Sequence, residues 1–302
     1  IFERRLKLIN SKSDSNQIDL IESVNQIETL LRKSVELSLV ADVEIGVLLS
    51  GGVDSSLISK FALEINPKIK TYSVIFKNHR NFDESKYSRQ ISEYIGSKHH
   101  EVCLDDIEYE SILNIIGNMS EPITDGSFIP SFLLCKEISK YVKVAIGGDG
   151  ADELFGGYKS YQKMLISNLL LSISNKTPFA NKIFTEYSSG YNYYKIFKNK
   201  NNIDLEWGRL FRSEDINKIL RINNPDYISR LVSYNSEDSN EIFQKSLDLD
   251  VLNYLTNDIL VKIDRASMRN SLELRSPFLN LELGEAASKL PWKYKFGLLS
   301  RK

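Results

Sequence analysis

The chain has 302 residues, 42% of them hydrophobic and 26% charged, with a formal net charge of −1. That length allows one large core or two medium domains, and the interspersed charges leave no extended cationic face, so neither nucleic acid nor a membrane is expected as a main partner. Cys103 and Cys135 have no CxxC spacing, His79, His99 and His100 complete no zinc pattern, and no apolar run approaches the roughly 20 residues that cross a bilayer; a reducing, cytoplasmic setting is expected.

Residues 1–16 carry a cluster of Ser, Asn, Asp and Lys and read as the remnant of a linker. Residues 17–302 read as one domain, with an α/β core over 40–160 and a largely helical segment over 161–302. An amphipathic helix is expected over Leu20–Leu39, where Ile21, Val24, Ile27, Leu30, Leu31, Val35 and Leu39 recur near the helical period. Strand Glu44–Leu49, helix Ser55–Glu64, strand Lys70–Phe76, helix Asp83–Ile95 capped by Asp83, and strand His100–Leu104 follow. This alternation predicts a parallel twisted sheet flanked by helices, whose ligands bind outside the carboxyl ends of the strands.

The first strand ends abruptly in Ser50, Gly51, Gly52, Val53, Asp54, Ser55 and Ser56. Two glycines let the backbone turn tightly and approach a ligand, and the unpaired amides that open the next helix favour an anion such as phosphate. The lysine of the nucleoside-triphosphatase loop is missing. In its place stands Asp54, and an acid beside a polyphosphate calls for a cation such as Mg²⁺ between them.

A helix over Asp105–Met119 leads to the segment EPITDG, Glu121–Gly126, which reads equally as a capped helix start before Pro130–Lys140 or as a ligand contact. Strand Val142–Ile146 then runs into GGDGADELFGGY, Gly147–Tyr158. Five glycines and three acids in twelve residues are costly to order, so this is a second ligand loop at the same sheet edge. Over Tyr161–Gln244 the pattern is irregular; Trp207, Leu210 and Phe211 are core candidates. A long helix, or two joined helices, is expected over Leu247–Met268. On it Asp258, Lys262, Arg265 and Arg269 share one face, either as solvated surface or as a cationic stripe toward phosphate. LELRSPFLN, Leu272–Asn280, follows.

SGGVDSS resembles the pyrophosphate loop of the ATP pyrophosphatase superfamily. Taken with GGDGADELFGGY and KIDRASMRNSLELRSPFLN (Lys262–Asn280), it resembles the synthetase domain of class B, glutamine-hydrolysing asparagine synthetases. The weaker strings TYSVIF, FDES and HHEV at Thr71, Phe82 and His99 keep the same order. The resemblance implies an adenine nucleotide alpha hydrolase-like fold and a ligase that uses ATP and Mg²⁺. Aspartate would be adenylated with loss of pyrophosphate, and ammonia would then displace AMP to give asparagine.

By that resemblance Leu48 and Val74 would line adenine, while Ser50, Gly51, Gly52, Asp54, Ser55, Gly147 and Gly148 would bind ATP and its pyrophosphate. Asp54 and Asp152 would share Mg²⁺, with Asp152 also toward substrate. Asp149 would serve formation of the adenylate, Glu153 would support its loop, and Lys262 with Arg265 would meet phosphate and transition-state charge. The chain departs from many members at Gly147, where they carry Ser, and at Asp149, where they carry Glu; some carry Lys at the position of Arg265. The family's N-terminal glutaminase domain, which would supply ammonia from glutamine, is expected to be absent. The expected partners are small molecules, and a homodimer is the assembly considered. A relative that adenylates another carboxylate, such as a sugar uronate, peptide or lactam precursor, is the alternative reading.

Overall fold

The computed structural model describes residues 19–75, 83–104, 109–123, 125–174 and 239–296. Phe76, His79, Phe82, Thr124, Trp207, Leu210 and Phe211 lie outside them, as does most of Tyr161–Gln244. The described residues fall into two compact units: 19–151 with 256–286, and 152–174 with 239–255 and 287–296.

In the first unit, helix α1 (Leu20–Ser38) is opened by Asp19, whose Oδ1 accepts from the Ile21 amide at 2.9 Å. This is the usual work of an N-cap acid. Its buried stripe includes Leu31 and Val35, while Ile21 and Val24 stay exposed. Then come β1 (Ile45–Leu48), α2 (Val53–Ile65), β2 (Lys70–Ile75), α3 (Ser85–Ile95), β3 (Lys98–Cys103), α4 (Tyr109–Gly117), α5 (Phe128–Ile138) and β4 (Val144–Ile146). Asp83 does not cap α3 as expected. Glu84 holds the cap position, and Asp83 sits one residue earlier, accepting from the amide and hydroxyl of Ser85 at 3.1 Å each.

The sheet is parallel throughout, in the order β3-β2-β1-β4-β5, with Gly46 beside both Lys70 and Ala145. Its last strand, β5 (Glu273–Arg275), pairs with β4 and was not foreseen. Three residues of LELRSPFLN are too short a run to show a period. β3 begins two residues earlier than expected, at Lys98, because its edge position lets polar residues pair with β2 through the backbone. The inner strands are the driest part: Val47, Val144, Ala145 and Ile146 are 0–3% exposed. One face of the sheet packs Tyr72, Val102 and Ala145 against Phe128, Cys135 and Ile138 of α5.

The second unit is helical. After α6 (Ala151–Phe155), which crosses into it from the first unit, it holds α7 (Lys159–Ser174), α8 (Ser239–Leu249) and, beyond the return to the sheet, α11 (Trp292–Lys295). Tyr161, Met164, Phe243, Leu247 and Phe296 form its core. Between α8 and α9 (Leu260–Met268) the chain is π-helical over Asp250–Ile259, so the expected long helix is continuous but locally widened. A 3₁₀ turn (Pro277–Leu279) and α10 (Leu281–Lys289) complete the chain order.

Candidate active site

The strand order places the two glycine loops side by side. From β1 the chain moves outward to β2 and β3, then returns across β1 to β4 on its other side. The carboxyl ends of β1 and β4 therefore flank the point where the winding reverses, which is where open parallel sheets leave a ligand crevice. Ser50–Gly52 follows β1 and Gly147–Asp149 follows β4.

The first loop is stitched by its own hydroxyls. Ser55 Oγ lies 3.0 Å from Ser50 Oγ, accepts from the Ser50 amide at 3.2 Å, and contacts the Gly52 carbonyl, to which Ser56 Oγ donates at 2.7 Å. Gly51 sits at φ +85°, and a Cβ there would fall 2.6–2.7 Å from Tyr87 and the Ser88 amide nitrogen of α3. Only glycine fits both the angle and the space. Gly52 takes the cap position of α2 without a side-chain cap, and Asp54 stands in the first turn, half-buried. A helix start left uncapped by side chains keeps its amides for an anion.

The second loop is seated against the first. A Cβ on Gly148 would lie 3.3 Å from Asp54 Cβ and 3.4 Å from the Ser55 nitrogen. The Gly147 amide donates to the Arg275 carbonyl at 2.9 Å, extending the β4–β5 ladder by one bond. Asp149 folds its carboxylate back over Gly147, where an added Cβ would meet Oδ2 at 2.9 Å. Together with burial, which is the larger cause, that carboxylate pushes the Cys135 thiol up to about 12. The two departures noted in the sequence thus occupy one space: the side chain missing at residue 147 leaves room for the acid at 149. Leu48 and Val74 both pack partly buried against the α5 face of the sheet.

Asp152 and Glu153 belong to the other unit. Glu153 is 1% exposed and accepts from the Tyr158 hydroxyl; burial first, and this carboxylate second, push the phenol far above its ordinary range. Nearby in that unit, Tyr161 donates to Asp250. Neither tyrosine–acid pair is apparent in the sequence: Tyr161 and Asp250 are 89 positions apart, and Tyr158 and Glu153, though in one motif, do not have the spacing of a helical side-chain pair.

Along the stripe Lys262 is buried, Arg265 is half-buried and Arg269 is exposed, and all three are engaged by partners on other elements. Lys262 Nζ lies 2.7 Å from Asp125 Oδ2 and 2.8 Å from Ser127 Oγ, with 9% of the lysine side chain exposed. Arg265 pairs with Glu121, and Arg269 donates to the Ile115 carbonyl at 3.2 Å with its guanidinium over the Phe132 ring. Both acids of the EPITDG segment are therefore taken up by the stripe. Nothing local in that segment reveals this role, because its partners lie 137 and 144 residues away.

A family model described as asparagine synthase matches residues 26–302. Asparagine synthetase 1 (glutamine-hydrolysing) of Bacillus subtilis is 30% identical over 289 residues, covering 90% of this chain and 44% of its own length. A Mycobacterium bovis protein provisionally named glutamine-hydrolysing asparagine synthetase is 32% identical over 280 residues, covering 88% of this chain and 42% of itself. The chain thus spans less than half the length of these relatives. The solved NH₃-dependent NAD synthetase of Campylobacter jejuni is similar over 71% of this chain and 92% of its own at 16% identity, with a TM-score of 0.29, too low to bear on fold or function. With a family match reaching from α1 to the last residue and a parallel sheet whose switch point carries both glycine loops, the chain belongs to the asparagine synthase family.

Proposed function

We propose that this chain is the ATP-using part of an amide-forming ligase: it activates a carboxylate, aspartate in the first instance, as the acyl-adenylate and passes it to ammonia. The observation that supports this most directly is the contact of Gly148 with the first turn of α2 at Asp54, which unites two glycine loops at the reversal of the sheet.

In this reading the substrate carboxylate oxygen attacks the α-phosphorus of ATP, the α–β bridging bond breaks, and pyrophosphate leaves. The loop Ser50–Ser56 and the uncapped start of α2 hold the leaving group with amides and hydroxyls. Leu48 and Val74 offer apolar surface for adenine at the ends of neighbouring strands, and the Gly147–Gly148 backbone lies beside the phosphates. Ammonia then attacks the acyl carbon, expelling AMP and leaving a proton for the surroundings. Asp149 is assigned to the acyl-transfer end. Lys262 and Arg265 supply positive charge as negative charge moves onto the leaving oxygens.

The donor set suits Mg²⁺ brought in with the nucleotide. Among the described residues no group of three His, Cys, Asp or Glu side chains forms a metal cage, and Mg²⁺ ordinarily needs only one or two carboxylates when phosphates and water complete its shell. Asp54 would hold it, with Asp152 assigned to it by family resemblance alone. When bound, the ion would neutralise phosphate charge. Ammonia would come from a glutaminase domain of the kind the relatives' names imply, and a homodimer is one assembly to test.

The test is pyrophosphate release from Mg·ATP with aspartate and ammonia, each omitted in turn, with the product identified by mass. Asparagine and AMP formed only with all components support the proposal. Release that depends on a different carboxylate would redirect it to that acceptor. Asp54→Asn or Asp152→Asn turning over normally would remove that residue from the metal assignment.

A further inference from the structure

Lys262, Asp125 and Ser127 form a closed ring of hydrogen bonds. The Ser127 hydroxyl donates to Asp125 Oδ1 at 2.7 Å, and the Ser127 amide donates to the same oxygen at 2.7 Å. The other carboxylate oxygen, Oδ2, and Ser127 Oγ both accept from the Lys262 ammonium. Asp125 thus spends one oxygen shaping the turn that starts α5 and the other holding the lysine. An ammonium has three protons, and this ring engages two.

The ring stands at the catalytic edge of the sheet. α5 leads into β4 and α9 leads into β5, both in a parallel sheet, so each helix begins at the carboxyl-end side and runs back toward the strand starts. Asp125 and Ser127 precede α5 and Lys262 is in the first turn of α9, on the side where Ser50–Gly52 and Gly147–Asp149 emerge. A buried ion pair contributes little to stability on its own. A lysine stem is long and flexible, and fixing its head before substrate arrives removes reorganisation from the reacting state.

We propose that Asp125 is a positioning residue of this enzyme: with Ser127 it tethers Lys262 so that the ammonium is preset at the catalytic edge. Asp258, one turn earlier on the same face as Lys262, is not the tether. The hydrogen bonds of Lys262 Nζ go to Asp125 Oδ2 and Ser127 Oγ, and Asp258 meets the lysine as an opposing charge, its carboxyl being raised by burial first and by the Asp125 charge second.

The proposal rests on the adenylating reading above, and its test has one arm that needs no turnover. In the 302-residue chain, Asp125→Asn is expected to lower the kcat of carboxylate-dependent pyrophosphate release about 100-fold, with KM for Mg·ATP changed less than about threefold. Added to Lys262→Met, it should cost less than about threefold more, because the two act as a unit. Ser127→Ala, which leaves the carboxylate in place, should show a smaller loss of about tenfold in kcat and remains informative if Asp125→Asn does not fold.

The second arm is reductive methylation of lysines followed by peptide mass mapping. Lys262 should react at least about tenfold faster in Asp125→Asn than in the parent chain. Equal labelling rates, or kinetic losses that multiply in the double variant, would overturn the tether. A parent chain that releases no pyrophosphate with any carboxylate overturns the adenylating reading and the catalytic part of this proposal, while the labelling still decides whether Asp125 holds Lys262.

Discussion

Gly148 and Asp54 lie so close that a Cβ on the glycine would be 3.3 Å from the Cβ of the acid. The loop after β4 therefore rests on the helix that leaves the loop after β1. Gly148→Ala would push these backbones apart by a few tenths of an ångström. We expect pyrophosphate release to fall about 10- to 100-fold, while the thermal midpoint changes by less than about 4 °C. Wild-type turnover would show that the two loops do not act together.

Gly51 and Gly52 are adjacent but not equivalent. Gly51 has φ +85° and no room beside Tyr87 and Ser88, whereas a Cβ on Gly52 would meet only Ser50 Oγ, at 3.4 Å. Gly51→Ala should destabilise the fold by about 2–4 kcal/mol, combining backbone strain and overpacking. Gly52→Ala should cost less than about 1 kcal/mol. Urea unfolding of both variants compares them directly.

Arg265 on α9 and Arg269 at its C-cap are four residues apart but have different partners. Arg265 pairs with the carboxylate of Glu121, while Arg269 holds a backbone carbonyl of α4 and covers Phe132. Arg269→Ala should therefore lower stability by about 1 kcal/mol and leave the adenylation rate within about twofold. Arg265→Ala should lower that rate at least about 30-fold. Equal small effects in a pyrophosphate-release assay would mean that the stripe is structural along its length.

His99 lies in a hydroxyl network under α3: Nδ1 is 2.9 Å from Thr71 Oγ1 and Nε2 is 3.0 Å from Ser73 Oγ. Burial is the main cause holding its pKa below 6.5, with Glu101 opposing and His100 and Arg89 adding to the depression. The unfolded chain then takes up a proton as pH falls below about 6.5 while the fold resists it. Stability is full above that pH and declines below it, by up to about 1.4 kcal/mol per pH unit until the folded pKa is reached. His100 shifts in the same direction. His99→Gln should therefore show a shallower fall in thermal midpoint between pH 7 and 5.5 than the parent chain. An unchanged slope would assign the acid sensitivity to other groups.

Much of the α/β core was legible in the sequence because its signals are local. The run Ile45–Leu49 ends in two glycines, the alternation of strand and helix repeats three times before residue 105, and Gly51 needs a backbone angle other residues avoid. Each follows from residues within a few positions of one another. β5 escaped because three residues paired to one neighbour carry no period of their own, and Asp83 was misplaced by one residue because Asx turns and helix caps use the same side chain.

The sequence by itself determined the family, the parallel sheet and the two glycine loops, since these depend on backbone geometry encoded residue by residue. Only the tertiary structure decided the partners. Lys262 and Asp125 are 137 positions apart, and nothing local distinguishes a solvated lysine from one that is 9% exposed between an acid and a hydroxyl. Winding the sheet outward and then back across β1 placed Gly148 on Asp54 and the start of α5 beside the start of α9. Contacts of that kind arise from chain topology and burial acting together, and a one-dimensional pattern does not contain them.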